Sequence, residues 1–286
     1  MRSLFSPIPL FFVFLWSTGF IVARYGLPYA PPLTFLLLRF LGVLAILLPA
    51  VLVLRAPWPK GKVGHVAIAG LLLQAGYLSG VWCAIKLGMP AGLSALIVGM
   101  QPILTALAAP LIGERVRPRQ WLGLAFGLAG VALVVYAKIT LVGLSWQAIA
   151  LAVGALLSIT AGTLYQKRFC PQFDLRTGTV IQFAASFALV LPFAWLLEDM
   201  GSVQWTPQFF GAWAWSVLAL SIGAIFLLFA LIRHSDATQV TSLLYLTPPT
   251  TALMAWAMFG EVLNWMGIAG MALAVIGVIF VVKQPK

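Results

Sequence analysis

Apolar runs of about twenty residues, the length of helix that crosses a bilayer, recur along the whole chain. Short stretches of Pro, Gly and basic side chains part them. A surplus of this kind has no soluble solution, because a globule must cover itself with polar groups. Of 286 residues, 62% are hydrophobic and only 8% charged, where about 25% charged is usual in a soluble domain. A soluble enzyme, a disordered chain and a disulfide-stapled secreted domain are thereby excluded. The expected class is an all-α polytopic membrane protein.

The runs predict ten transmembrane helices, at roughly 6–26, 33–54, 64–86, 90–112, 119–138, 144–166, 176–197, 208–232, 237–259 and 265–282. Pro28, Pro31 and Pro32 break the chain after the first, and Pro57 and Pro59 after the second. Ten spans of about 20 residues take about 200. No extramembrane domain fits in the remainder, so function has to lie among the spans. The first run is long, ends in Arg24 rather than a small-residue cleavage site, and reads as a retained helix rather than a signal peptide.

The net charge of +11 would suit a nucleic-acid partner, but its distribution does not. With both termini in the cytoplasm, thirteen Lys and Arg gather on that side: Arg2, Arg55, Lys60, Lys62, Arg115, Arg117, Arg119, Lys167, Arg168, Arg176, Arg233, Lys283 and Lys286. Only Arg24, Lys86 and Lys138 fall opposite. The charge is a positive-inside signal, and no nucleic acid is expected. Cys83 and Cys170 give neither a disulfide framework nor metal spacing, and His65 and His234 stand apart, so no metal and no cofactor is expected.

Shifted by 147 residues, the chain matches itself. Gly113-Glu114 falls on Gly260-Glu261, Gly123 on Gly270, Gly130-Val131 on Gly277-Val278, Pro102 on Pro249 and Ser94 on Thr241. A shift of 143 aligns the earlier spans: Gly19 with Gly162, Arg24 with Lys167, Pro49 with Pro192. Two five-helix repeats, 1–140 and 141–286, are expected. An odd number of spans per repeat inverts one copy against the other, a plan that places a transporter's site between them near mid-membrane.

The repeated Gly-Glu, the Gly nine residues after the Glu and the Gly-Val seven later, on a five-plus-five chain, resemble the drug/metabolite transporter superfamily and its EamA-type members. The resemblance implies a ten-helix bundle with a cavity between the first, third, fourth, sixth, eighth and ninth helices, the fifth and tenth being peripheral. It implies export of amino acids and other metabolites across a bacterial inner membrane. Within the family the chain looks most like the aromatic-amino-acid exporter branch. The alternatives are export of nucleobases or cationic compounds and, further off, a membrane-embedded enzyme. The motifs of such an enzyme are missing: no HExxH, no paired mid-span aspartates, no Ser–His pair at depth. A channel would need a filter-like repeated loop, which is also missing. Short loops suggest that a monomer in the lipid bilayer suffices.

Polar side chains inside spans are costly and tend to face a cavity or a partner helix. Gln74 and Tyr77 share a face of the third helix; Ser94, Gln101 and Thr105 form a stripe on the fourth, with Met100 nearby. Ser158 and Tyr165 share a face of the sixth, and Thr241 and Tyr245 one of the ninth. Trp16 and Trp82 are candidates for stacking on an aromatic substrate. Trp58, Trp121, Trp146, Trp205 and Trp265 lie near span ends and read as an interfacial belt. For all the stripes the competing reading is packing between helices. Pro102, Pro248 and Pro249 are hinge candidates. Glu114 and Glu261 are expected to hold the N-terminus of the next helix. Arg39, the one basic residue well inside a span, is expected to be paired or to snorkel, with a substrate carboxylate as the alternative. With no Asp or Glu in mid-span, transport is expected to be facilitative or of the exchange type.

Overall fold

The computed structural model describes residues 7–89, 94, 97–136, 145–259 and 265–282. Glu261 and the side chain of Arg24 lie outside this set. The described residues form ten helices: α1 Pro7–Gly26, α2 Pro32–Val53, α3 Val63–Lys86, α4 Gln101–Ile112, α5 Pro118–Tyr136, α6 Trp146–Phe169, α7 Leu175–Leu197, α8 Pro207–His234, α9 over 237–259 and α10 Trp265–Val282. Six of them (α2, α3, α6, α7, α8 and α10) are long and apolar enough over the described residues to cross a membrane. The burial pattern is that of a protein in lipid. Gln74, Gln101, Gln166 and Gln182 are buried, while Leu52, Val53, Trp195, Leu196 and Leu197 stand exposed.

Several helix starts show how their first N–H groups are satisfied. Ser145 accepts from the Ala148 N–H ahead of α6, Asp174 from those of Arg176 and Thr177 ahead of α7, and Thr206 from Phe209 ahead of α8. Among the starts without a local side-chain cap are α2, preceded by Pro31, and α9, preceded by Asp236. A distant glutamate serves each. Glu198, just past α7, accepts from the N–H groups of Leu33 and Thr34 and from the Thr34 hydroxyl at 2.8–2.9 Å. Glu114, just past α4, accepts from the Ala237 N–H with both oxygens at 3.0 Å. Glu114 therefore holds the start of α9, not that of α5, the next helix in sequence. Gly113 makes this possible: at φ 80° it ends α4 in the left-handed turn that glycine adopts without strain and sends Glu114 sideways.

The contacts between helices include five pairs, α1 with α8, α3 with α6, α2 with α7, α4 with α9, and α5 with α10. Exchanging the two runs of five helices leaves this set unchanged. The α5–α10 pair repeats the relation at atomic detail. A Cβ added to Gly130 would lie 2.6 Å from the Gly270 oxygen, and one added to Gly277 would lie 2.6 Å from the Gly123 oxygen. The 147-residue shift carries the first contact onto the second. Small residues let the two backbones touch, as helices in lipid require in place of a hydrophobic drive.

Two helices change winding partway. α3 is a π-helix over Leu71–Gly76, and α8 over Ser216–Ala224. Under the same shift 71–76 falls on 218–223, inside the second segment. Such segments leave backbone groups without their regular partners and occur often at functional sites. The Ser158 hydroxyl donates to the Leu72 carbonyl at 2.8 Å, within the first.

Candidate functional site

A cavity lies where α1, α2, α3 and α8 meet. It holds about 620 Å³ of empty space, the open space at its mouth included. Its lower wall comes from the two π segments, through Leu73 and Gln74 of α3 and Leu220 of α8; Trp82 and Ile85 approach the Lys86 end. The walls are largely aromatic and aliphatic. Trp16 and Tyr77 set near-parallel rings 6.4 Å apart between centroids. Trp82 stacks on Phe35 of α2 at 4.7 Å, and Phe35 meets Phe209 of α8 edge-on.

Among the described residues, one charged side chain reaches these walls. Arg39 of α2 is 5% exposed, and its Nε donates to the Ser221 hydroxyl at 2.6 Å. Gln74 is 1% exposed, and its amide nitrogen has no hydrogen-bond partner. Among the described residues no Asp or Glu lines the walls.

The cavity thus brings together Trp16, Gln74, Tyr77, Trp82 and Arg39. The other candidate residues sit elsewhere. Gln101 of α4 donates to the Thr163 hydroxyl of α6 at 3.2 Å, and Ser94 is buried with no partner for its hydroxyl. Met100, 39% exposed, lies in the turn before α4. Ser158 is spent on the α3 backbone. Tyr165 shares a hydrogen bond with His65 at 2.7 Å and packs on Phe169 near the start of α3. Thr241 bonds back to the carbonyls of Ala237 and Thr238. The Tyr245 ring lies against Gly127 of α5. The cavity walls come from α1, α2, α3 and α8, so α2 enters them while α4, α6 and α9 do not. Pro102 and Pro248-Pro249 stand in the first turn of helical segments that restart after a break, Gln101–Ala108 and Thr247–Phe259. A missing N–H costs nothing there.

At the opposite end from Lys86, α4, α6, α8 and α9 are tied by polar contacts. Lys167 donates to the carbonyls of Ile232 and Ser235 and stands 4.0 Å from Glu114; Arg168 donates to Leu111 and Arg233 to Phe173. Burial holds the Glu114 carboxyl above its ordinary range, against the opposing pull of the Ala237 N–H and Lys167. Asp174 is held below its range by the hydrogen bond from Arg176. Glu114→Ala should lower the thermal midpoint by the equivalent of about 1 kcal/mol. Glu114→Gln, which keeps an acceptor for the Ala237 N–H, should lose less. Equal losses in the two variants would show that charge, not the cap, matters.

Reading the sequence misses Ser221, Leu220, Phe35 and Glu198. Ser221 is the counterpart of Gln74 under the 147-residue shift, which would have pointed to it. Nothing in the sequence marks Glu198, whose partners lie 164 and 165 residues away.

A bundle of helices that keeps an aromatic chamber and its polar groups away from lipid is the build of a membrane carrier. The family model described as the EamA-like transporter family matches residues 8–136 and again 146–283. The chain belongs to that family: it is a multi-pass inner-membrane transporter of small metabolites, not an enzyme. It is 30% identical to the uncharacterized inner membrane transporter YedA of Escherichia coli K12, over 92% of this chain and 86% of that one. It is 28% identical to a probable amino-acid metabolite efflux pump of Salmonella typhimurium, over 94% and 92%. It is 27% identical to the uncharacterized transporter YvbV of Bacillus subtilis, over 96% and 90%. A solved crystal structure shares the fold, with a TM-score of 0.78 at 23% identity over 98% of this chain and 96% of that one.

Proposed function

We propose that the protein exports amino acids, aromatic or other neutral ones, by alternating access, and that the cavity between α1, α2, α3 and α8 is the substrate site. The observation that carries this reading is the aromatic wall of Trp16, Tyr77 and Trp82, with Phe35 stacked behind Trp82, around one cavity between the helices. The efflux-pump relative lends it support.

The repeats are 1–140 and 141–286, inverted against each other, with both termini cytoplasmic. The basic residues support this orientation. The cavity at the Lys86 end then faces outward, and the contacts around Glu114 and Lys167 close the cytoplasmic end. Pro102 and Pro248-Pro249 mark where α4 and α9 would flex as the repeats rock. Gln101, Ser94, Met100, Ser158, Tyr165, Thr241 and Tyr245 would meet substrate only in another state of the cycle.

Transport is facilitative or of the exchange type, since among the described residues no carboxylate lines the cavity to relay a proton. The test is counterflow in proteoliposomes with L-phenylalanine and L-tryptophan. Trp16→Ala and Tyr77→Ala should each slow it by about tenfold, the loss of an aromatic contact worth about 0.5–1.5 kcal/mol together with its buried area. Phenylalanine moving no faster than in empty liposomes would overturn the substrate. Accumulation driven by a pH gradient would overturn the coupling.

A further inference from the structure

We propose that Arg39 binds the carboxylate of the transported substrate, so that the cavity takes an apolar or aromatic molecule with an anionic head and rejects cations of the same shape. This rests on the reading of the cavity as the substrate site.

A guanidinium buried at this depth needs an anion or a full set of acceptors. Arg39 has neither. Its Nε is bound to Ser221, and among the described residues its two terminal nitrogens take no partner. The ion pairs among the described residues, Lys167 with Glu114 and Arg176 with Asp174, lie at the ends of helices, away from Arg39. The Nε bond fixes the plane of the guanidinium and leaves its fork free. That fork matches a carboxylate through two parallel hydrogen bonds.

Gln74 supplies a second, independent observation. Its amide nitrogen is a buried donor without a partner on the same wall. Gln74 and Ser221 are repeat counterparts, both within π segments: one lines the cavity and the other holds the Nε of Arg39. Arg39 itself breaks the repeat: the 143-residue shift carries it onto Gln182, which donates to Gln166 and is absent from the cavity walls. Among the described residues the cation therefore stands on one side of the repeat relation only, beside the aromatic wall. A substrate ammonium group finds only neutral acceptors there, such as the Gln74 oxygen and the Tyr77 hydroxyl.

The test compares three molecules of one shape as competitors of L-phenylalanine counterflow by the full-length protein: L-phenylalanine, 3-phenylpropionate and phenethylamine. The first two should compete. Phenethylamine should be at least about tenfold weaker, the discrimination one charged hydrogen-bonding group provides. Arg39→Gln should weaken 3-phenylpropionate by about ten- to hundredfold, Arg39→Lys should recover part, and Ser221→Ala should cost less than either.

Phenethylamine competing as well as 3-phenylpropionate on the wild type would overturn the assignment even if Arg39→Gln fails to fold. So would a monodisperse Arg39→Gln protein with unchanged inhibition. In both cases phenylalanine counterflow would survive, separating this failure from that of the substrate site. No phenylalanine counterflow in the wild type would overturn both.

Discussion

Replacing Gly277 with alanine is expected to destabilise the protein by about 1–3 kcal/mol, the cost of overpacking a close contact. The new methyl group would press on the Gly127 nitrogen and lie 2.6 Å from the Gly123 oxygen. Both are backbone atoms of α5, so no rotamer change relieves the clash and the helices must separate. Gly130→Ala should behave alike, because its methyl meets the Ala274 nitrogen and the Gly270 oxygen of α10 in the mirrored arrangement. Gly154→Ala is the control. It lies in α6 with nothing within 4 Å of the added carbon, and the change should be neutral or stabilise by up to about 1 kcal/mol. Thermal unfolding of the detergent-solubilised protein measures all three. Equal midpoints for the Gly277 and Gly154 variants would show that the α5–α10 contact bears no load.

Glu198→Ala should cost about 1–3 kcal/mol. One carboxylate serves two N–H groups and a hydroxyl at the start of α2. Pro31 has no side-chain donor or acceptor to replace it. Removing Glu198 leaves the Leu33 and Thr34 N–H groups unpaired where the chain enters the membrane. Glu198→Gln keeps one acceptor oxygen and should lose less. Thr34→Val removes only the hydroxyl contact and should lose least. The same thermal assay ranks them, and a midpoint for Glu198→Ala equal to that of the wild type would show that water caps α2 equally well. The mutation also loosens the tie between α2 and the end of α7, so Arg39, two turns into α2, should be held less firmly.

Helix number and approximate ends were legible because both follow from local facts: apolar run length, Pro positions and basic loops. The internal shift was legible because glycine packing leaves a fixed spacing. Of the site, Gln74, Tyr77, Trp16, Trp82 and Arg39 were legible as polar, aromatic or charged groups out of place in a span. What separated them from Tyr165, Thr241 and Tyr245 was not. A Tyr that meets His65 and one that lines a cavity have the same local sequence signature, since helix periodicity gives a face without saying what lies opposite it.

The sequence by itself determined that this chain is a ten-helix membrane protein with an internal shift of 147 residues, because lipid forces every backbone group into helices and excludes charge from their middles. Only the tertiary structure decided which polar groups meet. It set Ser221 of α8 on Arg39 of α2, 182 residues apart, sent Glu114 to α9 and Glu198 to α2, and placed two π segments at one cavity. Those outcomes depend on how helices cross, and crossing is fixed by side chains on two elements at once.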